Sequence, residues 1–168
     1  MKELSFQDKR VTNIPEDQII LNEIVHVCIV VRDLEKTAKT FSEKFGVGPW
    51  EVREKHYPES NAELHGKPIA YTLKFGYTKM GPITLELVQT LEGDSLYNEF
   101  LKEHGEGIHH IGIPTPLPFG NELEKWKKQG IDALQVSRLP DPEEGWAYMD
   151  TQDLVGCTLE ILSFKKYQ

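Results

Sequence analysis

The chain has 168 residues, 39% of them hydrophobic and 27% charged, the proportions of a soluble globular protein built as one compact domain or two small packed modules. Its 27 Asp and Glu against 19 Lys and Arg leave a formal charge of −8, which argues against nucleic acid or an anionic membrane as a partner, since both select basic surfaces. No apolar run approaches the roughly 20 residues of a membrane helix, and the polar N-terminus lacks a signal-like stretch. Cys28 and Cys157 sit singly inside apolar runs, so two small buried thiols in a reducing cytoplasm are expected rather than a disulfide.

Residues 1–21 carry no strong periodicity, contain Pro15, and read as an N-terminal arm. A strand is expected over Glu23–Val31. Asp33 then offers an N-cap to a helix in which Leu34, Ala38, Phe41 and Phe45 recur at helical spacing, and Gly46 suits the left-handed residue that follows it. Gly48-Pro49 marks a turn before a strand over Trp50–Tyr57, and the polar stretch Pro58–Lys67 reads as a loop. Ile69, Tyr71, Leu73, Phe75 and Tyr77 alternate as a strand does, and Met80-Gly81-Pro82 turns the chain into another strand over Ile83–Gln89.

Residues 91–106 read as a linker carrying a short helix, capped by Asp94 or Ser95, presenting Leu96, Phe100 and Leu101, and closed by Gly105. The order then repeats. A strand over Ile108–Ile113 leads into a helix bearing Phe119, Leu123 and Trp126 and ending at Gly130. Strands follow over Ile131–Leu139, Trp146–Thr151 and Cys157–Ser163. His26 and His110 are 84 positions apart, as are Gly46 and Gly130, whereas Glu86 and Glu160 are 74 apart. The second copy is thus ten residues shorter after its helix, and the Pro58–Lys67 loop accounts for the difference. The fold expected is α+β: two tandem βαβββ modules, residues 22–90 and 107–168, duplicated from one supersecondary unit.

Each module opens on an apolar strand with a histidine inside it and a small residue two positions later: His26 with Cys28, and His110 with Gly112. Because side chains alternate faces along a strand, each imidazole shares its face with that small residue, opposite a greasy face. The last strand of each module reads Thr-Leu-Glu, placing Glu86 beside Thr84 and Glu160 beside Thr158. A carboxylate in so apolar a strand is expensive to bury unless it is paired or bound to a metal. Two such glutamates, each matched to a histidine of its own module, point to a metal site of His26, Glu86, His110 and Glu160. Buried His–Glu hydrogen bonds are the alternative. His109 is expected on the helix-packed face, as a packed or capped residue. His104 suits a helix C-terminus, and His56 and His65 suit the surface. Tyr71, Tyr148, Trp50 and Trp146 fit a cavity lining and a core equally well.

Over residues 22–163 the chain resembles the vicinal oxygen chelate superfamily, which includes glyoxalase I, methylmalonyl-CoA epimerase, extradiol dioxygenases and bleomycin or fosfomycin resistance proteins. The resemblance rests on the runs Val25–Leu34, Leu85-Glu86-Leu87, Gly107–Ile111 and Gly156–Glu160. It implies paired βαβββ modules in a partly closed barrel around one divalent ion (zinc, nickel, cobalt, manganese or iron), with ligands from the first and last strand of each module. Those positions are again His26, Glu86, His110 and Glu160. It further implies a small-molecule substrate with adjacent oxygens, enediolate chemistry stabilised by the metal, and pairing of modules within or between chains, hence a homodimer. By analogy with glyoxalase I, Glu160 would also take the substrate proton. In the epimerases a separate glutamate ahead of the third strand is the base, and the corresponding stretch here, with Glu59 and Glu63, departs from that motif. The functions implied are a glyoxalase-like lyase or a methylmalonyl-CoA epimerase-like isomerase. The alternative is a non-catalytic small-molecule-binding or resistance protein, and a dioxygenase fits less well.

Overall fold

Asp33 and Gly46 bracket the first helix as their chemistry requires. In the computed structural model, which describes residues 18–167, strand β1 (His26–Val30) leads into helix α1 (Leu34–Phe45). The Asp33 carboxylate accepts a hydrogen bond from the Lys36 amide at 2.9 Å, and Gly46 takes a left-handed φ of 68° while its N–H bonds back to the last turn. The N-terminal arm lies outside the described residues as far as residue 17.

The chain continues through β2 (Glu51–Tyr57), β3 (Ala62–Leu64), β4 (Lys67–Pro68), β5 (Tyr71–Met80) and β6 (Ile83–Gly93) to helix α2 (Leu96–Glu103). The second module comprises β7 (Gly107–Pro114), α3 (Phe119–Lys128), β8 (Ala133–Arg138), β9 (Gly145–Met149), the single turn α4 (Gln152–Val155) and β10 (Thr158–Ser163). Among the described residues the ten strands form one mixed sheet in the order β2-β5-β6-β1-β7-β10-β9-β8-β3-β4, curled into a half-barrel with the helices around it. In each module the first strand pairs in parallel with the last, and β1 and β7 join the modules antiparallel at the centre.

The alternating strands sort their side chains onto two faces. Cys28, Val30, Tyr71, Leu73, Phe75, Val88 and Tyr148 fill the inside of the curl, with Leu96 and Tyr97 of α2 packed in. Outside, Leu34 and Ala38 of α1 pack on Val31 and Leu87, and Phe119 and Trp126 of α3 pack on Ile113, Met149 and Ile161. Helix α3 has Pro118 at its N-cap position and no side-chain cap. Packing holds it instead: burying two aromatic residues contributes about 1.5–3 kcal/mol each, more than the ~1 kcal/mol of a cap.

Three local expectations are corrected. The Pro58–Lys67 stretch is not a plain loop but carries the β3–β4 hairpin, turning at His65 and Gly66 with φ of 49° and 73°. Two consecutive positive φ values make the turn that matches strand twist. This hairpin leaves its own module and pairs with β8 of the other, Ala62 opposite Ser137 and Leu64 opposite Gln135, so the ten extra residues cover the second module's edge. Strands of two or three residues are too short to show alternation in sequence. Helix α2 starts at Ser95, but that side chain makes no cap bond; Gln135, from β8, accepts from the Leu96 amide at 2.7 Å instead. Finally, β7 bulges at His109. Cys28 faces His110 and Ile29 faces Ile108, so the ladder skips His109 and turns it out of strict alternation.

Candidate metal centre

The four strands at the middle of the sheet, β6-β1-β7-β10, each present one residue of the site, and their register sets the layout. One row across them reads Thr84, His26, Gly112, Glu160, and the next reads Glu86, Cys28, His110, Thr158. The pattern is the same from either end: His26 sits beside the small residue of module two, and His110 beside the small residue of module one. Thr158 and Glu160 are buried, as are Glu86 and His110, while His26 is partly exposed.

All four side chains meet. The Nε2 atoms of His26 and His110 are 3.0 Å apart. An oxygen of Glu160, Oε2, lies 2.8 Å from the first and 3.2 Å from the second, and Glu86 Oε2 lies 3.7 and 3.6 Å from them. Donor atoms about 2.1 Å from a common ion would be ~3.0 Å apart at right angles and ~3.4 Å apart in a tetrahedron. The observed spacings span that range. His26, Glu86 and His110 offer ligand atoms that all lie within 4.8 Å of one another, a grouping that could hold a metal ion even without Glu160. Glu160 Oε2 is fully buried and makes no aligned hydrogen bond among the described residues despite its close ring nitrogens. Those two ring nitrogens are its only near partners among the described residues, and a cation placed among the four groups would satisfy it more fully. Borderline nitrogen and carboxylate donors also suit a divalent transition metal. The residues fit the ion.

The electrostatics of the bare side chains agree with this crowding. Burial opposes ionisation of Glu160, but the imidazoles of His110 and His26 override it and hold the carboxyl at about 2. Burial likewise opposes a charged His110, yet Cys28 and Glu160 beside it raise its pKa well above the ordinary imidazole range. Burial and the neighbouring His110 push His109 well below that range. The Cys28 thiol is pushed up to about 12 by burial, partly offset by His110, so it remains a thiol.

A cleft of about 890 Å³ opens onto His26, Glu86 and Glu160. Trp50, Trp146 and Tyr148 line it, whereas Tyr71 is a core residue stacked on Tyr57. Sequence reading missed two things here. Tyr77 faces Glu86 across the β5–β6 ladder and Tyr148 faces Glu160 across β9–β10, so each carboxylate has a cleft-lining tyrosine opposite. Counting outward from the Met80–Ile83 turn pairs Tyr77 with Glu86 and would have found the first. Burial above all, then Glu86, raises the Tyr77 phenol, which therefore stays a hydrogen-bond donor. The cleft also collects Arg53, Lys55, Lys79 and Lys166 together with Glu51, which pairs with Arg53 at 2.6 Å.

The remaining histidines and the two alternative glutamates lie elsewhere. Neither Glu59 nor Glu63 lines the cleft, and Glu63 is held by Arg138 on the far module. His56 is exposed beside Thr72, and His65 bridges to Glu99 at 3.0 Å. His104 caps the C-terminal end of α2, stacked on Phe100. His109 is packed, as expected, but on the inner side: the bulge turns its ring toward Tyr97, Phe100 and Tyr148 instead of the α3 face.

Comparison with known proteins places this architecture. Solved structures of the same fold include a methylmalonyl-CoA epimerase in complex with methylmalonyl-CoA and NH4+, 19% identical with a TM-score of 0.62, covering 87% of this chain and 96% of that one. Methylmalonyl-CoA epimerase from Mycobacterium tuberculosis is 15% identical with a TM-score of 0.57, covering 90% and 97%. A hypothetical protein from Bacillus halodurans C-125 is 17% identical with a TM-score of 0.58, covering 85% and 94%. At these identities the likeness is one of fold. No curated protein matches the sequence significantly. The family model of the Glyoxalase/Bleomycin resistance protein/Dioxygenase superfamily matches residues 25–149, from the start of β1 to the end of β9, and the chain belongs to that superfamily.

Proposed function

We propose that the protein is a divalent-metal-dependent isomerase of the epimerase type, moving a proton at a carbon next to a carbonyl on a substrate with two adjacent oxygens. The observation that carries this reading is the convergence of His26, Glu86, His110 and Glu160 on one point at the floor of the cleft, with Glu160 Oε2 lacking a directed donor. These four residues would hold the ion. Bound there, it would supply a Lewis acid for the two substrate oxygens and lower the cost of removing the neighbouring proton.

The chain's own residues do the rest. Glu160, which lines the cleft, is the general base. Tyr77 and Tyr148 flank the carboxylates as protonated phenols, Tyr77 beside Glu86 and Tyr148 with its hydroxyl bonded to that of Tyr97, and so keep that wall of the site neutral. Trp146, Tyr57 and Leu162 give the cleft an apolar wall. Lys55, Lys79 and Lys166 favour an anionic substrate, and a polyanionic acyl-CoA of the methylmalonyl type suits them better than the thiohemiacetal of a lyase. A cytoplasmic homodimer completes the proposal.

The test is exchange of the substrate α-hydrogen with solvent deuterium, on acyl-CoA and thiohemiacetal substrates, with protein stripped of metal and then reloaded. Exchange restored only by metal, and on the acyl-CoA, supports the reading. Exchange on the thiohemiacetal alone moves it to a lyase. Exchange on neither makes the protein a non-catalytic binder of the same fold.

A further inference from the structure

His109 takes no part in the four-residue cluster, yet it is buried against it. Its Nδ1 lies 2.9 Å from Nδ1 of His110, a separation at which one ring must donate an N–H and the other accept. The choice follows from the other side of His110. Its Nε2 faces His26, Glu86 and Glu160 within 3.0–3.6 Å, and a nitrogen that binds a metal there carries no proton. The proton of a neutral His110 then sits on Nδ1, and His109 accepts it.

We infer that His109 is a positioning residue for the metal centre: its Nδ1 accepts the Nδ1–H of His110, fixing the tautomer and ring orientation that aim Nε2 at the ion. Four features single it out. The β7 bulge brings the rings of two consecutive residues to one side of the strand, which regular alternation forbids. The rings of Tyr97, Phe100 and Tyr148 lie 4.8, 5.2 and 5.3 Å from that of His109 and hold it in place. The polar tips of Tyr97 and Tyr148 are engaged with each other. Cys28, opposite His110 across the ladder, offers only a thiol, a weak acceptor. Ligating histidines ordinarily give this second N–H to a carboxylate or carbonyl; here an imidazole takes that place.

The inference rests on the metal-centre reading, and the test separates the two. Zinc affinity is measured on the full chain for wild type, His109→Phe, which fills the space without an acceptor, and His109→Asn, whose side-chain oxygen stands near the lost Nδ1. In parallel, ¹H–¹⁵N ring correlations of zinc-loaded wild type assign the protonated nitrogen of His110. Expected are a slowly exchanging proton on His110 Nδ1, a 10–100-fold loss of zinc affinity in His109→Phe, and substantial recovery in His109→Asn. Wild-type zinc affinity in His109→Phe overturns the positioning role while leaving the metal centre intact, whereas a His110 proton on Nε2 in the loaded wild type overturns the positioning role and also removes His110 Nε2 from the ligand set. Wild type that takes up no zinc, cobalt, nickel or manganese overturns both. If His109→Phe does not fold, the wild-type spectrum decides alone.

Discussion

The imidazole of His26 occupies the space that a side chain at Gly112 would need. A Cβ on Gly112 would stand 2.1 Å from Cε1 of His26 and 2.5 Å from its Nε2. The two residues are register partners across β1 and β7, and the glycine lets the ring lie over the neighbouring strand toward Glu160. Gly112→Ala is therefore expected to push His26 off the cluster. Overpacking of this kind costs about 1–3 kcal/mol, and metal affinity should fall by roughly 10-fold or more. Gly120→Ala, in α3 where a Cβ meets open space, is the control and should leave both unchanged or raise stability by up to ~1 kcal/mol. Thermal melts and metal titration of the two variants check this; unchanged metal binding in Gly112→Ala would show that the ring has another way in.

The purified protein is expected to hold about one divalent transition metal per chain, or to take one up on addition. His26→Ala and Glu86→Ala should each weaken that binding, because a site of four protein ligands has none to spare. Elemental analysis and competition with a chelator measure it. Full occupancy in both variants counts against the site.

Cys28 is expected to resist thiol reagents. It is fully buried and its thiol is pushed up to about 12, whereas the reactive and metal-binding form is the thiolate. At pH 8 a chromogenic disulfide should titrate at most Cys157 in native protein and both cysteines after unfolding. Rapid reaction of two thiols in the native state would show that the inside of the half-barrel opens.

Much of this site could be read from sequence because strand geometry is regular. Two-residue periodicity put His26 with Cys28 and Glu86 with Thr84, and the repeat put the same pairs in the second module. What escaped depends on contacts between modules or on departures from regularity. Gln135 caps α2 from β8, and the β3–β4 hairpin crosses to the other module; no local pattern announces either. Strict alternation puts His109 on the helix-packed face, and the bulge breaks that alternation. The basic residues of the cleft were hidden for another reason: Arg53, Lys55, Lys79 and Lys166 come from β2, β5 and the C-terminal turn, and only the curl of the sheet brings them to one cleft.

Homodimer formation is expected, although one sheet edge is already covered by β3–β4. The other edge, β2, carries Glu51, Arg53, Glu54 and Lys55, charges of the kind that discourage edge pairing, so contact through other faces is the expectation. Sedimentation equilibrium at micromolar concentration should give about twice the 19.3 kDa chain mass. A 19.3 kDa species alone would rule the dimer out under those conditions.

The central claim is that Glu160 both faces the ion and takes the proton, and Glu160→Gln tests it most directly. The amide keeps the shape and an oxygen donor but loses the charge that makes a base. Metal content and α-hydrogen exchange into deuterium oxide are measured on the same metal-loaded preparations of wild type and variant. The expected result is a variant that retains much of its metal while exchange falls by roughly 10²-fold or more. Exchange at the wild-type rate with metal bound would contradict it and pass the base to another carboxylate, with Glu51, also on the cleft, the first to examine.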